Sequence, residues 1–159
     1  MVGTRMRLIR PTYPCGRFNG RGTPPSVADM DTGEPATIVI IDDDKDYLAF
    51  LVALLSRAGY ACQGFIEARK ALEYMQAAPA GLVVTDVFMP DTDGIEVLRS
   101  IRRTSPVTPV IALSGANGRY RRFYLDAMQA LGAAFELAKP IDPARLLIAV
   151  ESCLRPAKS

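Results

Sequence analysis

Short, continuously apolar runs alternate with segments of helical periodicity over most of this chain. A continuous apolar run of four or five residues is typical of a strand buried on both faces, and an apolar residue at every third or fourth position is typical of an amphipathic helix. Neither pattern is present before about residue 36. The sequence therefore predicts one folded domain over residues 36–156, preceded by an extension of different character.

The pattern predicts five strands and five helices in alternation. The predicted strands are TIVIID, Tyr60 to Phe65, LVVTD, PVIALS and AFELAKP. The predicted helices are DKDYLAFLVALLSRAG, Glu67 to Ala78, Gly94 to about Thr104, Gly118 to Leu131, and a last helix that opens at Asp142-Pro143 and ends at Arg155-Pro156. Such alternation indicates an α/β fold in which a doubly wound, five-stranded parallel sheet carries helices on both faces.

The first predicted helix carries clear local signals. Its apolar residues recur at helical spacing and form one stripe, which consists of Tyr47, Leu48, Leu51, Leu54 and Leu55. Asp44 or Asp46 is expected to cap its start, and Gly59 stands where a helix C-terminus favours left-handed backbone.

Four of the predicted strands end in residues that are able to handle a phosphate or a divalent metal. Asp42 and Asp43 follow the first strand, Asp86 ends the third, Ser114 ends the fourth, and Lys139 ends the fifth. Because the carboxyl ends of parallel strands lie at one edge of a sheet, we expect these side chains to meet. Clustered carboxylates repel each other, and hard oxygen ligands suit Mg²⁺ or Mn²⁺.

The same residues suit phosphoryl transfer. Lys139 supplies a fixed positive charge, and Ser114 supplies a hydroxyl donor for a phosphoryl oxygen. Asp86 is the best candidate nucleophile, because a carboxylate attacks phosphorus without needing a base. The chain contains no histidine. A Ser-His-Asp or Cys-His nucleophile is therefore excluded.

Four segments, IVIIDDD, VVTDVFMPDTDG, VIALSG and LAKP, resemble in order and spacing the four signatures of response-regulator receiver domains of two-component signalling. The resemblance covers about residues 36–156. It implies a flavodoxin-like sheet of strand order 2-1-3-4-5. It also implies that Asp86 is the phosphoacceptor, that Asp43, Asp86 and the main-chain carbonyl of Phe88 bind the metal directly, and that Asp42 holds it through water.

Ser114 and Lys139 match the family's two phosphate-contacting side chains, and Lys139-Pro140 matches a peptide bond that is usually cis.

The chain departs from the family at the switch position. Where an aromatic residue usually stands three residues before the lysine, this chain has Glu136, with Phe135 one place earlier. Either Phe135 substitutes through a shift or the relay from Ser114 is weakened. Phe88, two residues past Asp86, is expected to shield the acyl phosphate from water.

The resemblance implies a stand-alone receiver that accepts a phosphoryl group from a histidine kinase or phosphotransfer protein. It would signal through altered protein contacts or act as an intermediate or sink in a phosphorelay. The alternative is a pseudo-receiver, an interaction module that phosphorylation does not regulate. A haloacid-dehalogenase-type phosphatase is disfavoured, because its DxDx[TV] motif is incomplete here. We therefore expect no enzyme beyond self-phosphorylation and autodephosphorylation.

Charge and composition bear on partners. Residues 1–35 form a basic, Pro- and Gly-rich extension, which is either a mobile arm for an acidic partner or lipid, or an idle tail, or a product of a start upstream of Met30. The remaining residues carry fourteen basic and fourteen acidic side chains, so we expect no nucleic-acid partner.

Arg119, Arg121 and Arg122 form a basic patch, which is either a partner site or a solvated helix face. Apolar runs are too short for a membrane span. We expect a cytoplasmic monomer or weak dimer, with residues 157–159 as a short tail.

Overall fold

A computed structural model of the chain describes residues 36–115 and 120–155. Within these ranges five parallel strands alternate with five helices. The elements are β1 (Ile38–Ile41), α1 (Lys45–Arg57), β2 (Cys62–Phe65), α2 (Ala68–Ala77), β3 (Leu82–Asp86), α3 (Gly94–Thr104), β4 (Val110–Ser114), α4 (Arg121–Ala130), β5 (Phe135–Ala138) and α5 (Pro143–Leu154). The predicted extension 1–35, the tail 157–159 and Arg119 lie outside the described residues.

The sheet has the order β2-β1-β3-β4-β5. Every neighbouring pair is parallel, and the register places Ile41 beside Thr85, Asp86 beside Leu113, and Ser114 beside Ala138. The predicted α/β class and strand order are therefore confirmed. Because all strands run in one direction, their carboxyl ends and the loops that follow form a single edge of the domain.

Two apolar clusters cover the two faces of the sheet. Alternate strand residues point to opposite faces, which divides each strand between the clusters. On one face lie Ile38, Ile40, Ile111 and Leu113, packed with Leu51 and Leu55 of α1 and Leu146 of α5. On the other lie Val39, Ile41, Val83 and Ala112, packed with Ala71 of α2, Leu98 of α3 and Met128 of α4. The nearly continuous burial of β1 and β3 explains their lack of polar alternation.

The local signals of α1 act as the sequence predicts. The Asp44 side chain caps the helix by accepting hydrogen bonds from the backbone N–H groups of Asp46 and Tyr47. Leu48, Leu51 and Leu55 are buried, whereas Tyr47 and Leu54 are partly buried. Gly59 follows the helix with a φ of 94°, a left-handed conformation that residues with a Cβ rarely adopt.

The fourth helix begins later than the sequence pattern predicts. Its predicted start at Gly118 lies outside the described residues, but Tyr120 forms a turn and α4 begins at Arg121. No side chain caps this start, and Met128 is the buried residue of the helix. Without a capping group to fix the first turn, the apolar spacing alone did not define the boundary.

Candidate functional site

Three carboxylates converge at the carboxyl edge of the sheet. Asp42 and Asp43 follow β1, and Asp86 is the last residue of β3. One oxygen of each carboxylate lies within 4.8 Å of the others. Asp42 and Asp86 are buried, whereas Asp43 is exposed. The structure therefore brings together the three acids that the sequence assigned to a metal.

Lys139, from the loop after β5, joins two of these acids. Its Nζ donates to Asp42 Oδ2 at 2.6 Å and to Asp86 Oδ2 at 3.1 Å. The Lys139 backbone N–H donates to the Ser114 carbonyl at 2.9 Å, and the Lys139-Pro140 bond is cis, as predicted. The lysine side chain is largely buried, so its ammonium is a fixed charge at the acids rather than a solvated one.

Backbone groups hold the two buried carboxylates from the other side. The Asp44 N–H donates to Asp42 Oδ1 at 3.0 Å, and the Phe88 N–H donates to Asp86 Oδ1 at 3.1 Å. Each of these carboxylates thus has one oxygen on a backbone donor and the other on Lys139. Their orientation is fixed before any ligand arrives, which lowers the reorganisation that binding requires.

The charge balance of the cluster fits a divalent cation. Three carboxylates face one ammonium, which leaves an excess of negative charge in a partly buried place. Carboxylate oxygens are the ligands that Mg²⁺ prefers, and a cation held by one or two carboxylates normally keeps several waters. Asp42, Asp43 and Asp86 are therefore the residues that could hold Mg²⁺, with Asp43 on the solvent side.

Burial and neighbouring charges shift the ionisation of the pair at the centre. Desolvation raises the pKa of Asp86 above its ordinary value, although Lys139 and the Phe88 N–H oppose the shift. Burial lowers the pKa of Lys139, but its hydrogen bond to Asp42 and the charges of both acids outweigh this effect and raise it. The ammonium therefore stays protonated beside the acids.

Ser114 completes the edge at the end of β4. The residue is buried, and its Oγ has no hydrogen-bond partner among the described residues. A buried hydroxyl normally finds a partner, because an unsatisfied one is costly. Its place at the end of β4, beside the strand that carries Asp86, leaves this donor free for an oxygen bound at the site.

The structure separates the two residues that the sequence offered for the switch. Phe135 is buried in the cluster packed against α1 and α5. Glu136 pairs with Ala112 and therefore lies on the opposite face, the face to which the alternation of β4 also assigns Ser114. Adjacent strand residues point to opposite faces. The structure thus brings Glu136, and not Phe135, to the face of the sheet shared with Ser114.

Glu136 is half-buried beneath α4. Its Oε1 has no hydrogen-bond partner among the described residues. Burial, reinforced by the negative charge of Asp126 and opposed by Arg121, raises the pKa of Glu136 to about 7. A carboxyl group at this position is therefore partly protonated near neutrality, which the sequence alone did not indicate.

Aromatic side chains connect the loop after β3 to the surface of α4. The Phe88 ring meets the Tyr124 ring edge-on, with centroids 4.6 Å apart, and Tyr124 meets Phe123 at 5.7 Å. Phe123 and Tyr120 are exposed by 66% and 70%, large values for aromatic residues. The part of the predicted basic patch that the structure describes, Arg121 and Arg122, lies on this same helix.

Tyr47 belongs to the apolar stripe of α1 and is also a neighbour of the site. The Lys139 Nζ lies 4.4 Å from the centroid of its ring. Its hydroxyl accepts a hydrogen bond from the Ile141 N–H at 3.0 Å. A tyrosine in a helical stripe is usually a packing residue, so no local signal identified this contact.

The described geometry agrees with the comparison to known proteins. The family described as "Response regulator receiver domain" matches residues 38–151. The chain belongs to this receiver family. Receivers are modules of two-component response regulators. They are generally non-enzymatic signalling domains that bind Mg²⁺ at an acidic pocket and interact with histidine kinases and phosphotransfer proteins.

Individual relatives support the assignment. FixJ, a transcriptional regulatory protein of Bradyrhizobium diazoefficiens, is 34% identical over 121 residues, which are 76% of this chain and 58% of FixJ. PgtA, a phosphoglycerate transport regulatory protein of Salmonella typhimurium, is 33% identical over 126 residues, which are 79% of this chain and 30% of PgtA. This receiver chain thus spans 30% of the length of PgtA and 58% of the length of FixJ.

Solved structures agree with the fold. The chemotaxis protein CheY4 of Vibrio cholerae superposes with a TM-score of 0.69 at 27% identity, covering 76% of this receiver chain and all of CheY4. A receiver domain from Clostridium thermocellum gives a TM-score of 0.68 at 28% identity and covers 75% of this chain and 94% of its own. Among the residues described, no helix has the length and apolar character needed to cross a bilayer.

Proposed function

We propose that this receiver accepts a phosphoryl group on Asp86 from the phosphohistidine of a histidine kinase or phosphotransfer protein, in a reaction that requires Mg²⁺. The observation that carries the proposal is the ion pair of Lys139 with Asp86 inside the three-acid cluster. This pair supports the proposal because a carboxylate, a fixed cation and two further carboxylates able to bind a metal lie close together.

The chemistry follows from the groups at that point. An Asp86 oxygen attacks phosphorus, the new O–P bond forms as the P–N bond of phosphohistidine breaks, and the departing imidazole nitrogen retains the electron pair and takes a proton from solvent. Lys139 and the Ser114 hydroxyl contact the phosphoryl oxygens and offset their charge. Mg²⁺, held directly by Asp43, Asp86 and the Phe88 carbonyl and through water by Asp42, would supply further charge neutralisation.

An open approach to the site supports phosphorylation by an external donor. A surface cleft beside Asp43 lies between the loop after β2 and the loop after β3. Its lining includes Ile66, Arg69, Met89 and Thr92. Asp43 lines this cleft and is exposed, whereas its neighbours in the cluster, Asp42 and Asp86, are buried. This cleft gives a donor access to the cluster from the side of Asp43.

For the output we propose altered protein contacts at α4, in signalling or within a phosphorelay. The support is the chain of rings from Phe88, whose N–H touches Asp86, through Tyr124 to exposed Phe123. Residues 36–156 constitute the receiver in this proposal, with residues 1–35 and 157–159 outside it. The basic side chains of α4 favour an acidic partner surface.

A pseudo-receiver remains the second candidate, and Glu136 is the observation that favours it. The family position for a switch aromatic here holds a carboxyl group that faces α4. A receiver without that aromatic could bind a partner with no response to phosphorylation. The acid cluster and Lys139 argue for the first candidate, because an interaction module has no need of them.

Incubation of the chain with acetyl phosphate and Mg²⁺, followed by intact-protein mass spectrometry, tests the proposal. We expect a gain of one phosphoryl group that is lost in Asp86→Asn and on removal of Mg²⁺ by a chelator. Asp91→Asn, a change of an exposed acid in the same loop, is the matched control and should retain the gain. A mass gain that persists in Asp86→Asn would contradict the assignment. No gain in any variant would favour the pseudo-receiver.

A further inference from the structure

Tyr47 contacts the lysine segment at two separate atoms. The ring lies beneath the Lys139 ammonium, with 4.4 Å between Nζ and the ring centroid. The hydroxyl oxygen accepts from the N–H of Ile141, two residues further along the chain. These contacts lie on both sides of Pro140, so one side chain of α1 holds the loop after β5 at its charged end and at its backbone.

Tyr47 is itself fixed in place. Its backbone N–H donates to the capping carboxylate of Asp44 at 3.1 Å, and its ring packs against Phe50 with centroids 5.7 Å apart. The side chain also packs against the buried cluster of α1 and α5. A ring held in this way presents a constant surface to the ammonium.

A lysine side chain is difficult to hold in one position, because its long stem has many rotamers and its ammonium is strongly hydrated. At this site the ammonium reaches two acids, Asp42 at 2.6 Å and Asp86 at 3.1 Å. An aromatic face stabilises a cation electrostatically and displaces water from one side of it. A fixed ring 4.4 Å from the ammonium favours the Lys139 rotamer that reaches both acids.

We propose that Tyr47 is a positioning residue, which holds the Lys139 ammonium at Asp86 through its ring and holds the loop after β5 through its hydroxyl. The inference rests on the proposed function insofar as the held lysine serves phosphorylation of Asp86. The ring and the hydroxyl have separable roles. Tyr47→Phe removes only the hydroxyl, whereas Tyr47→Leu removes both.

The first readout does not depend on phosphorylation. The chain has four lysines, Lys45, Lys70, Lys139 and Lys158. In protein labelled with ¹³C at the lysine ε-carbon, Lys139→Arg identifies the Lys139 signal. We expect its ε-protons to show an upfield ring-current shift in the wild type and in Tyr47→Phe, and to lose it in Tyr47→Leu. An unchanged shift in Tyr47→Leu overturns the proposal.

The second readout is the rate of phosphorylation by acetyl phosphate with saturating Mg²⁺. We expect Tyr47→Leu to react about tenfold more slowly than the wild type, because the free energy of a partly desolvated cation–π contact corresponds to a rate factor of about that size. The rate of Tyr47→Phe should stay within about threefold of the wild-type rate. Tyr60→Leu is the matched control, because Tyr60 packs against the same cluster but precedes β2 at the opposite edge of the sheet. It should react at the wild-type rate.

The outcomes separate the two proposals. If Tyr47→Leu and Tyr60→Leu slow the reaction equally, or if neither does, Tyr47 has no positioning role. If the wild type shows the ring-current shift but no phosphorylation, the proposed function fails while the placement of Lys139 by Tyr47 stands. Circular dichroism of each variant checks the fold. If Tyr47→Leu does not fold, the wild type still decides the placement, because Lys139 ε-protons without an upfield ring-current shift would overturn it.

Discussion

Replacement of Glu136 by glutamine is predicted to stabilise the domain at high pH and not at low pH. Burial and Asp126 raise the pKa of Glu136 from 4.5 to about 7, against the opposing charge of Arg121. The folded state therefore binds more protons than the unfolded state between these values. The contribution of Glu136 to the free energy of unfolding therefore falls as pH rises through this window, and it is constant above the window. A glutamine carries no titrating proton and avoids that loss.

The size of the effect follows from the shift. At about 1.4 kcal/mol for each pKa unit, the full shift corresponds to about 3 kcal/mol. The group is only half-buried, so solvent screening reduces the expected gain to about 1–2 kcal/mol. Glu136→Gln should therefore unfold at a higher urea concentration than the wild type at about pH 8, and at nearly the same urea concentration at about pH 4, below both pKa values.

Urea unfolding followed by far-ultraviolet circular dichroism measures this difference, since the chain has no tryptophan. Glu73→Gln is the matched control, because Glu73 is exposed on α2 and its pair with Arg69 is at the surface. That variant should differ from the wild type by less than about 1 kcal/mol at both pH values. An equal gain for Glu136→Gln at both pH values, or no gain at either, would contradict the raised pKa of Glu136.

Three other substitutions test the site and the core. Phe88→Asn should speed loss of the phosphoryl group about tenfold by admitting water, as measured by mass spectrometry with Phe123→Asn as control; an unchanged lifetime contradicts it. Gly94→Ala should destabilise the domain by about 1–3 kcal/mol, because its Cβ would lie 2.7 Å from the backbone of the loop after β3; an unchanged melting temperature would show that the loop yields freely. Leu51→Ala should cost about 2–5 kcal/mol in urea unfolding, whereas exposed Phe50→Ala should cost less than about 1 kcal/mol. Similar losses for these last two would contradict the assigned core.

Local chemistry explains why much of the fold was predictable. Burial of β1, β3 and β4 on both faces makes their sequences almost continuously apolar. The Asp44 cap and Gly59 mark the two ends of α1 through residues close in sequence. The start of α4 was not predictable in the same way, because no side chain caps it. Its boundary depends on packing and on the turn at Tyr120.

The chemical groups at the strand ends are evident from the sequence, and the parallel order of the strands is enough to bring Asp42, Asp43 and Asp86 together. The bonding of Lys139 to two acids at once depends on the folded chain, since these contacts join residues that are 97 and 53 positions apart. The same holds for the Tyr47 contact, across 94 positions. The rotamer of a side chain, and therefore the atoms it contacts, depends on packing against residues distant in sequence, which a local sequence pattern does not predict.

The switch position separates the two levels most clearly. The sequence identified Glu136 and Phe135 as adjacent candidates and left the choice open. The pairing of β4 with β5 places Glu136 on the face beneath α4 and Phe135 on the other. Alternation along a strand is known from sequence, but which face meets which helix is not, because that depends on the order in which the whole sheet assembles.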